Sequence, residues 1–182
     1  KEEKIIMKVI YNDGHVAECP EDEELHVIRH TAAHVLAQAV KRLYPDAHFA
    51  YGPATEKGFY YDVDLGDKKL SDEDLPAIEA EMAKIVKENL PIKPFVLSRE
   101  EAVKLMEERG EKYKVEHIGD LPEDAVLSFY QQGEFVDLCA GPHLMSTKEV
   151  GKAFKIMSLA GAYWRGDEHN QMLTRLYATA FA

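Results

Sequence analysis

An α+β fold, with helices packed on an antiparallel sheet, is predicted by three features of the sequence. Strand-like and helix-like segments come in blocks rather than in strict alternation. Hairpin-type turn signals, Asn12-Asp13-Gly14 and Gln132-Gly133, each join two strand-like runs. Two capping boxes, Ser71 with Asp74 and Ser98 with Glu101, announce helices between those hairpins.

Each element follows in order. Residues 5–11 are apolar and β-branched, and the Asn-Asp-Gly turn leads into residues 15–19, a short hairpin. Pro20 and the acids Glu21 to Glu24 suit a helix N-terminus, where carboxylates meet the positive end of the dipole. Leu25, Ile28, Ala32, Val35, Leu36, Ala39, Val40 and Leu43 recur at steps of three and four, so residues 23–43 read as a helix with one apolar stripe, stopped by Pro45. Gly52-Pro53 and Lys57-Gly58 mark turns, and residues 59–64 read as a strand. The first capping box opens an amphipathic helix to Asn89 and the second a helix to Glu108, with a strand at 93–97 between them. Residues 126–131 and 134–139 form a hairpin, broken off by Gly141-Pro142. Segments 154–159, 161–166 and 172–181 are mostly strand-like.

The 182 residues, 46% hydrophobic and 30% charged, suit one globular domain with a small appendage and a real core. No apolar run approaches the roughly 18 residues of a membrane span, and Lys1-Glu2-Glu3-Lys4 lacks the makings of a signal peptide. A cytoplasmic protein with no membrane partner is therefore expected. Two cysteines are too few for a disulfide framework, and a cytosolic setting favours free thiols over a Cys19–Cys139 bridge. The net charge of −11 argues against a protein that grips a nucleic-acid duplex. From 148 to 175, however, Lys148, Lys152, Lys155, Arg165 and Arg175 outnumber the acids, which leaves room for a nucleic-acid end. The apolar segment 172–182 stops without charge or cap, as if cut from a longer chain.

Candidate chemistry centres on two motifs. In His30-Thr31-Ala32-Ala33-His34 a spacing of four puts both imidazoles on one helical face, with His26 one turn earlier. In Cys139-Ala140-Gly141-Pro142-His143 a Gly-Pro bend can bring thiol and imidazole to one side, and Asp137 shares the strand face of Cys139. Together His30, His34, Cys139 and His143 make a ligand set suited to Zn²⁺. The same set without metal can activate a water, with imidazole as general base. Of Tyr60 and Tyr61, which face opposite sides of a strand, at most one lines a shared pocket. Lys114 reads most simply as a surface lysine. Trp164-Arg165 offers a stacking plane and a phosphate-binding cation, or else an aromatic packed under a loop.

At these residues the sequence resembles the editing domain of bacterial-type threonyl-tRNA synthetases, which is related to that of alanyl-tRNA synthetases. The likeness rests on residues 28–36, Gly58-Phe59-Tyr60-Tyr61-Asp62, Tyr113-Lys114-Val115-Glu116, Asp137 to His143, and Gly161 to Asp167. It covers residues 25–182, with 1–24 expected to be a hairpin left from a ubiquitin-like domain. The resemblance implies hydrolysis of mischarged seryl-tRNA(Thr). It assigns His30, His34, Cys139 and His143 to the central cluster, Lys114 and Asp137 to the catalytic pocket, and Tyr61 to substrate contact. Trp164 and Arg165 join Tyr61 as candidates for the terminal adenosine. The expected partner is the tRNA(Thr) acceptor end, together with the remainder of a synthetase chain. That longer protein is expected to be a homodimer that uses ATP, and zinc in a domain absent here. The present chain is not expected to aminoacylate, nor its hydrolysis to require a metal. A zinc-binding structural module and a non-catalytic acceptor-end binding module are the alternatives.

A second site is physically required because serine lacks only a methyl of threonine. A contact with one methyl gives about 1–3 kcal/mol, or roughly 10–200-fold discrimination. A pocket too small for that methyl inverts the selection.

Overall fold

The computed structural model describes residues 6–182; Ile5 of the expected first strand and residues 1–4 lie outside them. The fold is α+β, with four helices and antiparallel sheets among the described residues. Its centre is α1 (Glu24–Leu43), entered through a 3₁₀ turn at Glu21–Glu23. The expectation of a single apolar stripe is corrected here: from Thr31 to Val40 every residue is buried. Alanines at 32, 33, 37 and 39 let neighbours approach from all sides, so even Thr31, His34 and Gln38 lie inside.

What surrounds α1 explains that burial. On one side lies a four-stranded sheet in the order β3 (His48–Tyr51), β4 (Phe59–Asp64), β10 (Met172–Ala180), β9 (Phe154–Tyr163). The tail thus forms one continuous strand over 154–163 where two segments were expected, and β3 is an additional strand. On another side packs α2 (Leu75–Glu88), opened by the expected Ser71–Asp74 capping box and ended by Asn89 in the left-handed region, φ 50°. Residues such as Leu36, Ile78, Met82 and Ile85 are fully buried in this shared core. Each contributes about 1.5–3 kcal/mol by leaving water.

A second layer carries the rest of the site. Strands β5 (Ile92–Leu97), β6 (Leu127–Gln132) and β7 (Phe135–Leu138) form a three-stranded sheet. Helices α3 (Arg99–Glu108), with the expected Ser98–Glu101 capping box, and α4 (Lys112–Asp120) cover it, Ala102, Met106 and Ile118 sharing a core with Phe129 of β6. The N-terminal hairpin, β1 (Lys8–Ile10) and β2 (Val16–Glu18), completes a third sheet with β8 (His143–Leu144). Its Val9 and Cys19 belong to the same core as α1. Both cysteines are free.

Candidate active site

Helix α1 presents His26, His30 and His34 at one-turn spacing along a single line, and the two motifs of the sequence meet there. The rings of His30 and His34 lie 4.1 and 4.4 Å from that of His143. Cys139 Sγ stands 3.2 Å from His143 Nε2, and the ligand atoms of His30, His34, Cys139 and His143 all fall within 4.8 Å of one another. The bend that brings Cys139 and His143 round contains a cis Gly141–Pro142 bond. His143 is held from behind, its Nδ1 3.0 Å from Thr31 Oγ1.

Beside this cluster sits a buried polar network. Asp137 on β7 is 3% exposed and Lys114 on α4 is 6% exposed. Lys114 Nζ approaches Asp137 Oδ1 at 2.8 Å and donates to Tyr61 Oη at 2.9 Å. The Tyr61 hydroxyl in turn donates to Asp137 Oδ2 at 2.5 Å, and His34 Nε2 lies 3.3 Å from the same oxygen. The surface reading of Lys114 is corrected by what holds α4 down. At its start Glu111 accepts the Phe49 N–H at 2.9 Å, and Tyr113 donates to Asp64 at 2.6 Å. Those two anchors turn the next residue, Lys114, inward.

Burial sets the charges. It holds the His30 imidazole down to about 3, aided by repulsion from His34 and His26 and opposed by Asp137 and the Pro142 backbone. Burial likewise lowers His34 and His143, and raises the Cys139 thiol well above its ordinary range. For Asp137 burial acts upward, but the Lys114 ammonium, His34 and the Tyr61 hydroxyl outweigh it and keep the carboxylate ionised. At neutral pH the cluster is a set of neutral imidazoles and a thiol beside a fixed ion pair.

His26, His30, His34, Tyr61, Lys114, Asp137 and Cys139 open onto a cavity of about 340 Å³. Its remaining wall brings in residues that sequence reasoning missed. Tyr51 of β3 is 54% exposed at the cavity, with its ring 6.4 Å from that of His117 on α4. A single aromatic at the end of an unrecognised strand carries no pattern, so nothing in the sequence singled it out. Gly52 belongs to the same wall; a Cβ there would come within 2.2 Å of the Tyr61 ring. A neighbouring cavity of about 260 Å³, lined by Phe49, Glu111 and Phe135 among others, meets the first at Lys114 and Asp137. Its lining, among the described residues, has neither cysteine nor histidine.

Trp164 and Arg165 are not part of this cavity. The Trp164 indole donates to Glu116 at 2.6 Å and Arg165 pairs with Asp120 at 2.5 Å, which commits both to the outer face of α4. Tyr60 faces away from the site and packs under Arg175 and Tyr177.

The donor set of three imidazoles and one thiol fits Zn²⁺ in kind. The widest separation, 4.8 Å, exceeds the roughly 3.3–3.8 Å between ligands that zinc–ligand bonds of about 2.0–2.3 Å imply, so binding would draw the cluster inward.

A neutral histidine cluster thus lies beside a buried lysine–carboxylate pair in an α+β domain. Residues 127–177 match the family described as threonyl and alanyl tRNA synthetase second additional domain. The chain is 63% identical to a threonine–tRNA ligase of Clostridioides difficile (strain 630) over 88% of its own length and 25% of the ligase. Similar proteins include the threonine–tRNA ligase of Acetivibrio thermocellus, at 65% identity over 84% of the chain and 24% of the ligase. Another is that of Clostridium novyi (strain NT), at 57% over 97% of the chain and 28% of the ligase. The chain spans about a quarter of the length of these curated relatives. The chain is thus similar to the part of threonyl-tRNA synthetases that carries this additional domain.

Proposed function

We propose that this domain hydrolyses the ester bond of seryl-tRNA(Thr), releasing serine and intact tRNA. The observation that carries the reading is that His30, His34 and Cys139, clustered with the buried His143, open together with the Tyr61–Lys114–Asp137 network onto one cavity. His30, neutral at working pH and half-buried at the cavity wall, accepts a hydrogen bond from the attacking water and orients it. As the water oxygen bonds to the carbonyl carbon, its proton passes by way of His30 to the ribose oxygen, which leaves as a hydroxyl. Lys114 stands ready to stabilise the developing oxyanion.

Asp137 was expected in the catalytic pocket. Its oxygens already face Lys114, Tyr61 and His34, so we assign it first the task of fixing those three groups. The exposed ring of Tyr51, with His117 beside it, is the surface on which the terminal base stacks; the committed Trp164 and the buried Tyr61 are not. Were zinc bound, His30, His34, Cys139 and His143 would hold it, and it would supply Lewis-acid polarisation of the ester. The longer protein is proposed to be a ligase for tRNA(Thr), as the names of the relatives suggest, and, as the resemblance implies, an ATP-dependent homodimer. Deacylation of seryl- and threonyl-tRNA(Thr) by this domain tests the reading. Serine should be released and threonine spared, and equal rates would show that no methyl-excluding pocket exists.

A further inference from the structure

The Cys139–His143 bend must stay registered against α1 for its two side chains to meet those of His30 and His34. Its ends are secured by ordinary means. Cys139 N–H donates to Ser128 O at 3.1 Å, and Ser128 Oγ donates to Cys139 O at 2.7 Å. Leu144 N–H donates to Thr31 Oγ1 at 3.2 Å, next to the Thr31 contact with His143. The middle of the bend, Ala140 to Pro142, has no strand partner, and only the Pro142 backbone meets α1, at His30.

What holds it comes from the other end of the chain. Asn12, in the turn of the N-terminal hairpin, accepts the Gly141 N–H on Oδ1 at 2.8 Å. The same oxygen accepts the Tyr130 hydroxyl at 2.7 Å. The Tyr130 oxygen also lies 3.3 Å from Ile10 O, and its ring lies 4.4 Å from that of His143. Gly141 sits so close that a Cβ there would come within 1.9 Å of the Tyr130 oxygen. Strand β1 then pairs Ile10 with His143 and Val9 with Leu144. One amide oxygen therefore ties together the hairpin turn, the β6 tyrosine beside His143 and the apex of the bend.

We propose that Asn12 is a positioning residue of the site, and that the N-terminal hairpin is a working part of the hydrolytic centre rather than an appendage. Both hydrogen bonds use Asn12 as an acceptor only. Replacement by aspartate preserves the acceptor, whereas alanine or serine removes it or shortens its reach. Serine also keeps a residue suited to the turn. Displacing a catalytic group by about 1 Å costs on the order of 100-fold in rate, so loss of the latch should act on turnover and leave substrate binding alone.

The inference rests on the proposed hydrolase, and two readouts keep them separable. The first is kcat and KM for seryl-tRNA(Thr); the second is the alkylation rate of Cys139 by iodoacetamide, followed by mass spectrometry with Cys19 as internal control. For Asn12→Ala and Asn12→Ser we expect kcat to fall about 10- to 100-fold with KM within about twofold. Cys139 alkylation should accelerate as its contact with His143 loosens, and Asn12→Asp should restore both values towards those of the unaltered protein. Unchanged kcat and unchanged alkylation in Asn12→Ala and Asn12→Ser would overturn the inference, as would a raised KM at constant kcat or a failure of Asn12→Asp to recover. Should the unaltered domain hydrolyse nothing, the hydrolase reading falls. The alkylation rates of the three variants then decide the role of Asn12 by themselves.

Discussion

Lys114 and Asp137 meet at 2.8 Å with both side chains almost wholly inside the protein, one on a helix and the other on a strand of the sheet that helix covers. Removing one partner leaves a buried charge alone, which costs about 3–5 kcal/mol. Lys114→Met should therefore lower the unfolding free energy by about that much in urea titrations. The double variant Lys114→Met/Asp137→Leu should be less destabilised than the single one, while neither deacylates. A single variant as stable as the parent would show that the pair contributes nothing to the fold.

His30 lies mid-helix, where alanine is the better helix former. His30→Ala should abolish deacylation of seryl-tRNA(Thr) while shifting the melting temperature by no more than about 2–4 °C, the equivalent of roughly 1 kcal/mol in a domain of this size. Circular dichroism melting and the deacylation assay on one preparation check it together. A collapsed melt would favour a structural metal centre, since losing one of four ligands removes folding energy. Retained activity would move the base to His143.

The histidine cluster makes stability depend on pH with a definite sign. His30, His34 and His143 all titrate below their ordinary range in the folded protein, His30 at about 3. The unfolded chain takes up those protons near pH 6.5. Their stabilising share is thus complete above about pH 6.5 and is lost as the pH falls towards the folded values. Between pH 6.5 and 4.5, above the carboxylate range, each histidine contributes a slope of up to about 1.4 kcal/mol per pH unit. Urea unfolding at pH 7, 6 and 5 should show this decline, and His30→Gln should flatten it. No decline would mean that these imidazoles are not held neutral.

Zinc should bind the four-ligand cluster without being needed for hydrolysis. At a hundredfold excess over its dissociation constant a ligand stabilises the folded state by about 2.7 kcal/mol. Added Zn²⁺ should accordingly raise the melting temperature of chelator-treated protein, and Cys139→Ser should remove that rise. Deacylation by the chelator-treated protein should equal that of the untreated protein; its loss, with recovery on adding zinc, would make the metal part of the reaction.

Base stacking on an aromatic ring gives about 1–3 kcal/mol. Tyr51→Ala should raise KM for seryl-tRNA(Thr) by about 5- to 150-fold at nearly constant kcat. Trp164→Ala should leave KM alone, because its indole is engaged by Glu116 outside the cavity. The reverse pattern would return the stacking surface to Trp164.

Local codes made most of the fold legible. The capping boxes at Ser71 and Ser98 and the hairpin at Gln132-Gly133 stand where their residues indicated. The two halves of the site were also readable, since a helical spacing of four and a Gly-Pro bend are short-range patterns. Other features depend on contacts distant in sequence. Helix α4 is rich in charge and has no cap of its own, and Lys114 turns inward only because Glu111 and Tyr113 find partners on β3 and β4. Trp164 and Arg165 formed an attractive pair in isolation, but Glu116 and Asp120 on that same helix claim them. Full burial of α1 could not be read from its stripe of larger residues, because it arises from how closely alanine lets three different layers approach.

Strand β10 lies between β4 and β9, so the four-stranded sheet is completed by its last strand in sequence. A ribosome adds about 5–20 residues per second, and on the order of ten seconds separates the emergence of Asp64 from that of Met172. Throughout that interval β4, which carries Tyr61, exposes an unpaired edge. The nascent domain is thus open to strand capture by neighbouring chains, and β4 gains its second neighbour abruptly, with the final strand.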